Sequence, residues 1–331
     1  AGHVPGPLIF TVDRTDITRG MYQWTAGPRY SNGYGDARHL PTVLLENHSL
    51  KPYRRRVLGT YVFLEANLRA AADHFDGLRE AIAADRAARP RRVHLDHARS
   101  PEPLGTIDFR AIRSEMVPSD VTGTEVIRWT GEPYTVEIPI LGNAERATFV
   151  DRPAAYWIPA EWNHLAELLD LHGVAYERVD RVRTLEVQRM RFPDAAMAER
   201  PYEGMARVDA GEPTVEVETV EFRPGSLRVP TDQDRGTLAM LLLEPQSPDG
   251  VFQWGFMLEV LQRTEYFESY AMEPMAREML AEDPALNEEF EERLQDPEFA
   301  DDPRARLNFF YERTPYFDRA WKRYPIAREL D

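Results

Sequence analysis

The chain has 331 residues, 43% of them apolar and 29% charged, with 56 acidic side chains against 40 basic ones, a net charge of −16 and no cysteine. Such a composition belongs to a globular chain with room for more than one core. It excludes disulfides and thiolate metal sites, and its charge argues against nucleic acid or anionic lipid as a partner. No apolar run reaches the roughly 18 residues that a membrane span needs.

Residues 8–12 (LIFTV) read as a strand. The stretch GPRYSNGYGD (27–36) holds three glycines, a proline and an asparagine in ten positions, which predicts a loop with positive-φ points that presents Tyr30 and Tyr34. PTVLLE (41–46) then reads as a buried strand that ends on Glu46, with Asn47 and His48 just beyond. From Pro52 the period changes: Val57, Tyr61, Leu64, Leu68, Ala72, Phe75, Leu78 and Ile82 predict a helical stretch that stops at Arg89-Pro90.

Between about 104 and 230 the chain alternates apolar and polar residues in TIDFRAI, TEVIRWT, YTVEIPI, RTLEVQRMRF and PTVEVETVEF. One insert interrupts them, reading as strand, helix (161–171, ended by Gly173) and strand (175–179). The last hundred residues turn helical and acidic, with Asp283-Pro284 and Asp302-Pro303 as helix starts. Three regions result: 1–90, a β-rich 100–230 and a helical 231–331.

Several side chains suit chemistry, each with a plainer alternative. A carboxylate emerging from an apolar strand has its charged form disfavoured, which suits Glu46 to general-base work; the alternative is an ordinary strand-end acid. Tyr30 and Tyr34 can offer a phenol to a developing oxyanion, or simply pack on the surface. His48 lies two residues from Glu46, but a zinc site needs a third ligand that this neighbourhood lacks. His94 and His97 flank Asp96 in a linker, a pattern more often solvated than metal-bound. Lys51 and Arg54 to Arg56 could hold a carboxylate, although three consecutive arginines cannot all face one site.

The run YSNGYGDARHLPTVLLENHSLKPYRRRV resembles the bacterial branch of the M14 zinc carboxypeptidases, in which a tyrosine-bearing loop precedes a strand ending in the catalytic glutamate. Later stretches look like the C-terminal extension that large proteins of this kind carry. The resemblance implies an α/β fold: the end of a mixed-sheet peptidase domain, then a β-rich extension and an acidic helical tail. It further implies Glu46 as general base, Tyr34, Tyr30 or even Tyr22 as the assisting phenol, and Arg29 and His48 as substrate contacts. The substrate would be a peptide or related amide, and the cofactor zinc.

In that family the zinc ligands, an HxxE pair and a later histidine, lie upstream of the glutamate. Here only His3 and His39 precede Glu46, with no HxxE. The expectation is therefore a C-terminal portion of a longer protein, inactive alone and lacking the N-terminal half of its peptidase domain, with a periplasmic or secreted location favoured. A non-catalytic scaffold module and an amidase or deacylase on non-peptide amides are the rival expectations.

Overall fold

The computed structural model describes residues 6, 8, 10–97, 99–143 and 148–330. The chain opens with two short strands, β1 (Phe10–Thr11) and β2 (Met21–Tyr22), followed by helices α1 (Ser31–Ala37), α2 (Tyr53–Asp73) and α3 (Phe75–Ala87). Next come β3 (Arg92–His94), the long pair β4 (Arg99–Pro118) and β5 (Glu125–Asn143), β6 (Phe149–Asp151) and β7 (Ala155–Ile158). Helix α4 (Leu165–His172) leads to β8 (Glu177–Arg178), β9 (Arg183–Arg191), β10 (Ala196–Met197), β11 (Val208–Asp209), β12 (Thr214–Phe222) and β13 (Leu227–Pro230). The remainder is α5 (Gly236–Leu243), α6 (Ser269–Glu282), α7 (Pro284–Arg293), α8 (Pro297–Ala300), α9 (Pro303–Tyr311) and β14 (Ala327–Glu329). The fold is mixed α/β, and no helix is long and apolar enough to cross a membrane among the described residues.

The main body is an antiparallel six-stranded sheet in the order β12-β9-β14-β7-β13-β8. Its principal core joins the fully buried strand residues Tyr156, Ile158, Leu227 and Val229 to Leu165 and Leu169 of α4 and to Leu238, Met240 and Leu243 of α5. The alternation in 183–191 and 214–222 is therefore realised as β9 and β12, paired from Thr214↔Arg191 to Phe222↔Arg183. Gly173 ends α4 at φ 69°, the left-handed cap that a glycine adopts without strain. The core runs across the expected boundary at 230: α5 belongs to it, and β14 inserts between β9 and β7.

A second cluster gathers α6 to α9 around Phe290, Phe299, Phe309 and Phe310, with Phe290 and Phe310 ring centroids 4.8 Å apart. Each aspartate-proline start is a cap: Asp283 accepts from the Ala285 and Leu286 N–H groups, Asp302 from those of Arg304 and Ala305, and Asp296 from that of Glu298.

Residues 10–143 differ from expectation in four places. Residues 41–48 form no strand: Val43 is 65% and Leu44 40% exposed, and Glu46 is exposed as well. An apolar run becomes a strand only when a neighbour takes up its backbone groups, and none of the described residues does so here. The expected loop at 27–36 is instead half helix, because Gly33 and Gly35 serve close packing rather than positive φ. A Cβ at Gly33 would meet the Gly27 carbonyl oxygen at 2.1 Å, and one at Gly35 would meet the Thr42 hydroxyl at 1.9 Å. The long helix is broken at His74 into α2 and α3, and neither half buries a single residue. The strands at 106–112, 124–130 and 134–140 merge into one hairpin, β4–β5, joined in a four-stranded sheet of order β1-β2-β5-β4.

Candidate functional site

The segment before α1 is pressed against the body by a glycine. A Cβ on Gly27 would sit 2.6 Å from the Asp249 carboxylate and would push that side chain aside, and the same carboxylate oxygen accepts from the Arg29 N–H at 3.3 Å. Asp249 is held in turn by the Trp254 indole N–H at 3.3 Å. This contact starts a cleft of about 630 Å³ between residues 22–37, the segment that follows β3, and the turn that carries Tyr202.

Arg29 is the centre of that cleft's wall. Its guanidinium lies 4.5 Å from the Tyr30 ring centroid, 5.0 Å from that of Tyr202 and 5.7 Å from that of Trp254. It donates to the Tyr202 hydroxyl at 2.7 Å and the Tyr30 hydroxyl at 3.2 Å, and pairs with Glu203 at 3.2 Å. Arg207 lies 5.1 Å from the opposite partner, Trp254. Cations held over aromatic faces are rigid and partly desolvated, which suits a surface that orients a polar ligand. Glu203 has φ 49°, an uncommon conformation for a residue with a Cβ, in the tight turn that offers both Tyr202 and Glu203 to Arg29.

Tyr30 presents its hydroxyl to this cleft from the residue preceding α1, and it packs edge-on against Trp24 at 4.8 Å. Tyr34, one turn on, faces a different space, a 260 Å³ hollow lined by Leu168, Leu238, Leu241 and Val251. Its hydroxyl lies 2.8 Å from His172 Nδ1, and Arg38 donates to it at 3.3 Å. Burial first and the Arg38 charge second hold the His172 imidazole below its ordinary pKa. The Tyr34 hydroxyl accepts from Arg38 and shares one further hydrogen bond with His172 Nδ1. The Tyr34 phenol is thereby committed inside the protein.

Asp36 also lines the main cleft, with its carboxyl held above the usual range by partial burial and then by the charge of Asp85. Sequence reasoning passed over Asp36, Tyr202, Arg207 and Asp249; three of the four are remote in sequence from Arg29, and no local pattern marks them. Glu46 and His48 lie outside this cleft. Glu46 is exposed, and His48 accepts from the Leu50 N–H at 3.1 Å within its own turn. His94 and His97 do line the cleft, but Asp96 caps the His97 N–H at 2.7 Å. Among the described residues no group of three histidine, aspartate or glutamate side chains is placed to hold a metal ion.

Comparison with known proteins finds three distant relatives. The chain is 26% identical over 124 residues to Carboxypeptidase 2 of Trichophyton rubrum, covering 38% of this chain and 23% of that protein. It is 24% identical over 207 residues to the Carboxypeptidase 2 proteins of Trichophyton tonsurans and Trichophyton equinum, covering 61% of this chain and 35% of each. The chain thus spans a quarter to a third of the length of the curated relatives it matches. No family model and no solved structure matches.

Proposed function

We propose that the chain is part of a carboxypeptidase-like hydrolase of peptide or related amide bonds. The observation that carries this reading is the shared similarity to three carboxypeptidases, extending over 61% of the chain in two of them. In this proposal Glu46 takes the proton of the attacking water and returns it to the leaving amine, Tyr30 donates to the developing oxyanion, and Arg29 and His48 contact the substrate. Tyr34, tied to His172 and Arg38, is the weaker of the two phenols for the assisting role.

The finer assignment, a zinc enzyme of the M14 kind, asks for metal ligands. A catalytic zinc needs three protein ligands, and the described residues supply no such group, so the described side chains do not fit the ion. On this reading the ligands belong to polypeptide outside residues 1–331, and the same neighbour takes up the exposed segment 41–48 and brings Glu46 to the substrate. A periplasmic or secreted location belongs to the same proposal.

The test is made in the full-length natural protein, with a peptide bearing a free C-terminus, the same peptide blocked as an amide, and metal content measured beside turnover. Glu46→Gln should lower kcat by about 10²-fold or more with metal content unchanged, Tyr30→Phe should lower it by roughly 10²-fold, and Tyr34→Phe should leave it near the parent value. Undiminished turnover in Glu46→Gln removes that residue from the reaction. Equal rates on free and blocked peptides point to an amidase. Absence of both metal and turnover supports the scaffold reading, which the exposed Trp129 (63%) and Met116 (43%) on the β4–β5 hairpin favour.

A further inference from the structure

On the main sheet lies a second cleft of about 550 Å³ that shares no lining residue with the Arg29 cleft. Its floor is one face of β9 and β12, with Arg189 on the first strand and Val220 and the buried Phe222 on the second. Trp162, in the turn before α4, and Trp321, in the approach to β14, are both half-buried and line it. The Trp321 indole N–H is fixed on the Leu261 carbonyl at 3.2 Å, so its ring is held in place.

Among the described residues, two polar atoms there have no hydrogen-bond partner. Ser226 is 1% exposed, and its hydroxyl makes no hydrogen bond; Arg189 leaves its Nε unsatisfied. A buried hydroxyl without a partner is destabilising, and a bound ligand group can relieve it. The turn that carries Ser226 is set by Gly225 at φ 96°, a conformation open to glycine. The charges around the cleft are of both signs: Arg189, Arg223 and Arg323 against Glu161, Glu221, Glu259 and Asp318. Arg323 and Arg189 share Glu218 at 3.2 and 3.4 Å, so the cationic charge is already balanced within the protein.

That balance decides the ligand class. An anion would have to compete with four carboxylates, and a cation with three guanidinium groups. A neutral polyhydroxylated ring uses both, since each hydroxyl can donate to a carboxylate and accept from an arginine, while its C–H face lies on an indole. We propose that this cleft is a saccharide-binding site, with Trp162 and Trp321 as ring platforms, Ser226, Arg189 and Glu259 as hydroxyl partners, and a neutral sugar unit as the occupant. Such a site tethers the chain to a glycan or glycosylated substrate without taking part in hydrolysis.

The experiment titrates cellobiose, maltose and N,N′-diacetylchitobiose separately into the 331-residue chain, read by tryptophan fluorescence and saturation-transfer NMR, with tetraglutamate as the anionic control. At least one disaccharide should bind saturably with a Kd on the order of 1 mM, and Trp162→Ala and Ser226→Ala should each weaken it about tenfold. Ser226→Ala removes an unpartnered hydroxyl and keeps the fold, so it decides the outcome where Trp162→Ala fails to fold. The proposal is overturned if none of the three sugars binds saturably, if both variants bind as the parent does, or if tetraglutamate binds in their place.

Discussion

The sheet-and-helix body and the α2–α3 pair treat their apolar side chains in opposite ways. In the body, Leu169, Leu227, Val229 and Leu243 are fully buried, and even its charges are enclosed. Glu244 is completely buried, accepts from the Tyr156 hydroxyl, and is clasped by Arg328, whose remaining donor reaches Gln188 at 2.9 Å. Burial and the Glu244 charge push the Tyr156 phenol well above its ordinary pKa, so it stays a donor. Helices α2 and α3 bury nothing, and their stripe of Val57, Tyr61, Leu64, Leu68 and Phe75 is 47–73% exposed. Both regions carry helical apolar periodicity. Periodicity specifies a face, and only a facing partner turns it into stability.

The largest effect expected of this contrast is at Arg328. Arg328→Ala strands the buried Glu244 carboxylate and should cost about 3–5 kcal/mol in urea unfolding; a loss under about 1 kcal/mol would show that water reaches the network. An intermediate effect is expected at His172, on the seam between α1 and α4. Its folded pKa is lowered, so the unfolded chain binds the proton more readily. The stability contributed by the neutral ring is complete above the ordinary histidine pKa of about 6.5 and is lost as pH falls from there through the lowered folded value. Urea midpoints between pH 7.5 and 5 should therefore fall with pH, and less steeply in His172→Gln; equal slopes in the two proteins would remove the Tyr34–His172 contact from the linkage. The smallest effect is at Leu68, 73% exposed on α2. In the 331-residue chain Leu68→Ala should stay within about 0.5 kcal/mol of the parent. A cost of about 2 kcal/mol or more, that of a core leucine, would mean that something covers the helix.

Where local chemistry sufficed, the reading from residues agrees with the structure. Alternation in 183–191 and 214–222 became β9 and β12, and the prolines after Asp283 and Asp302 opened α7 and α9. Where the outcome hung on a neighbour, it did not. PTVLLE has the residues of a strand but, among the described residues, no strand beside it, and the glycines at 33 and 35 serve a close approach that becomes visible only with the Gly27 carbonyl and Thr42 opposite them. The candidate site shows the same limit. Arg29 and Tyr30 were singled out, yet Tyr202 and Glu203 join them from more than 170 positions away.

By itself the order of residues determined the mixed α/β content, the helix caps, the strand periods and the strongly acidic surface, because each depends on backbone preference, side-chain spacing or summed charge over a few residues. Only the tertiary structure decided which apolar faces are covered, that β14 crosses back between β9 and β7, and that the Arg29 and Ser226 clefts exist. Those outcomes come from contacts between distant segments, whose free energy is gained only when both partners arrive at the same place.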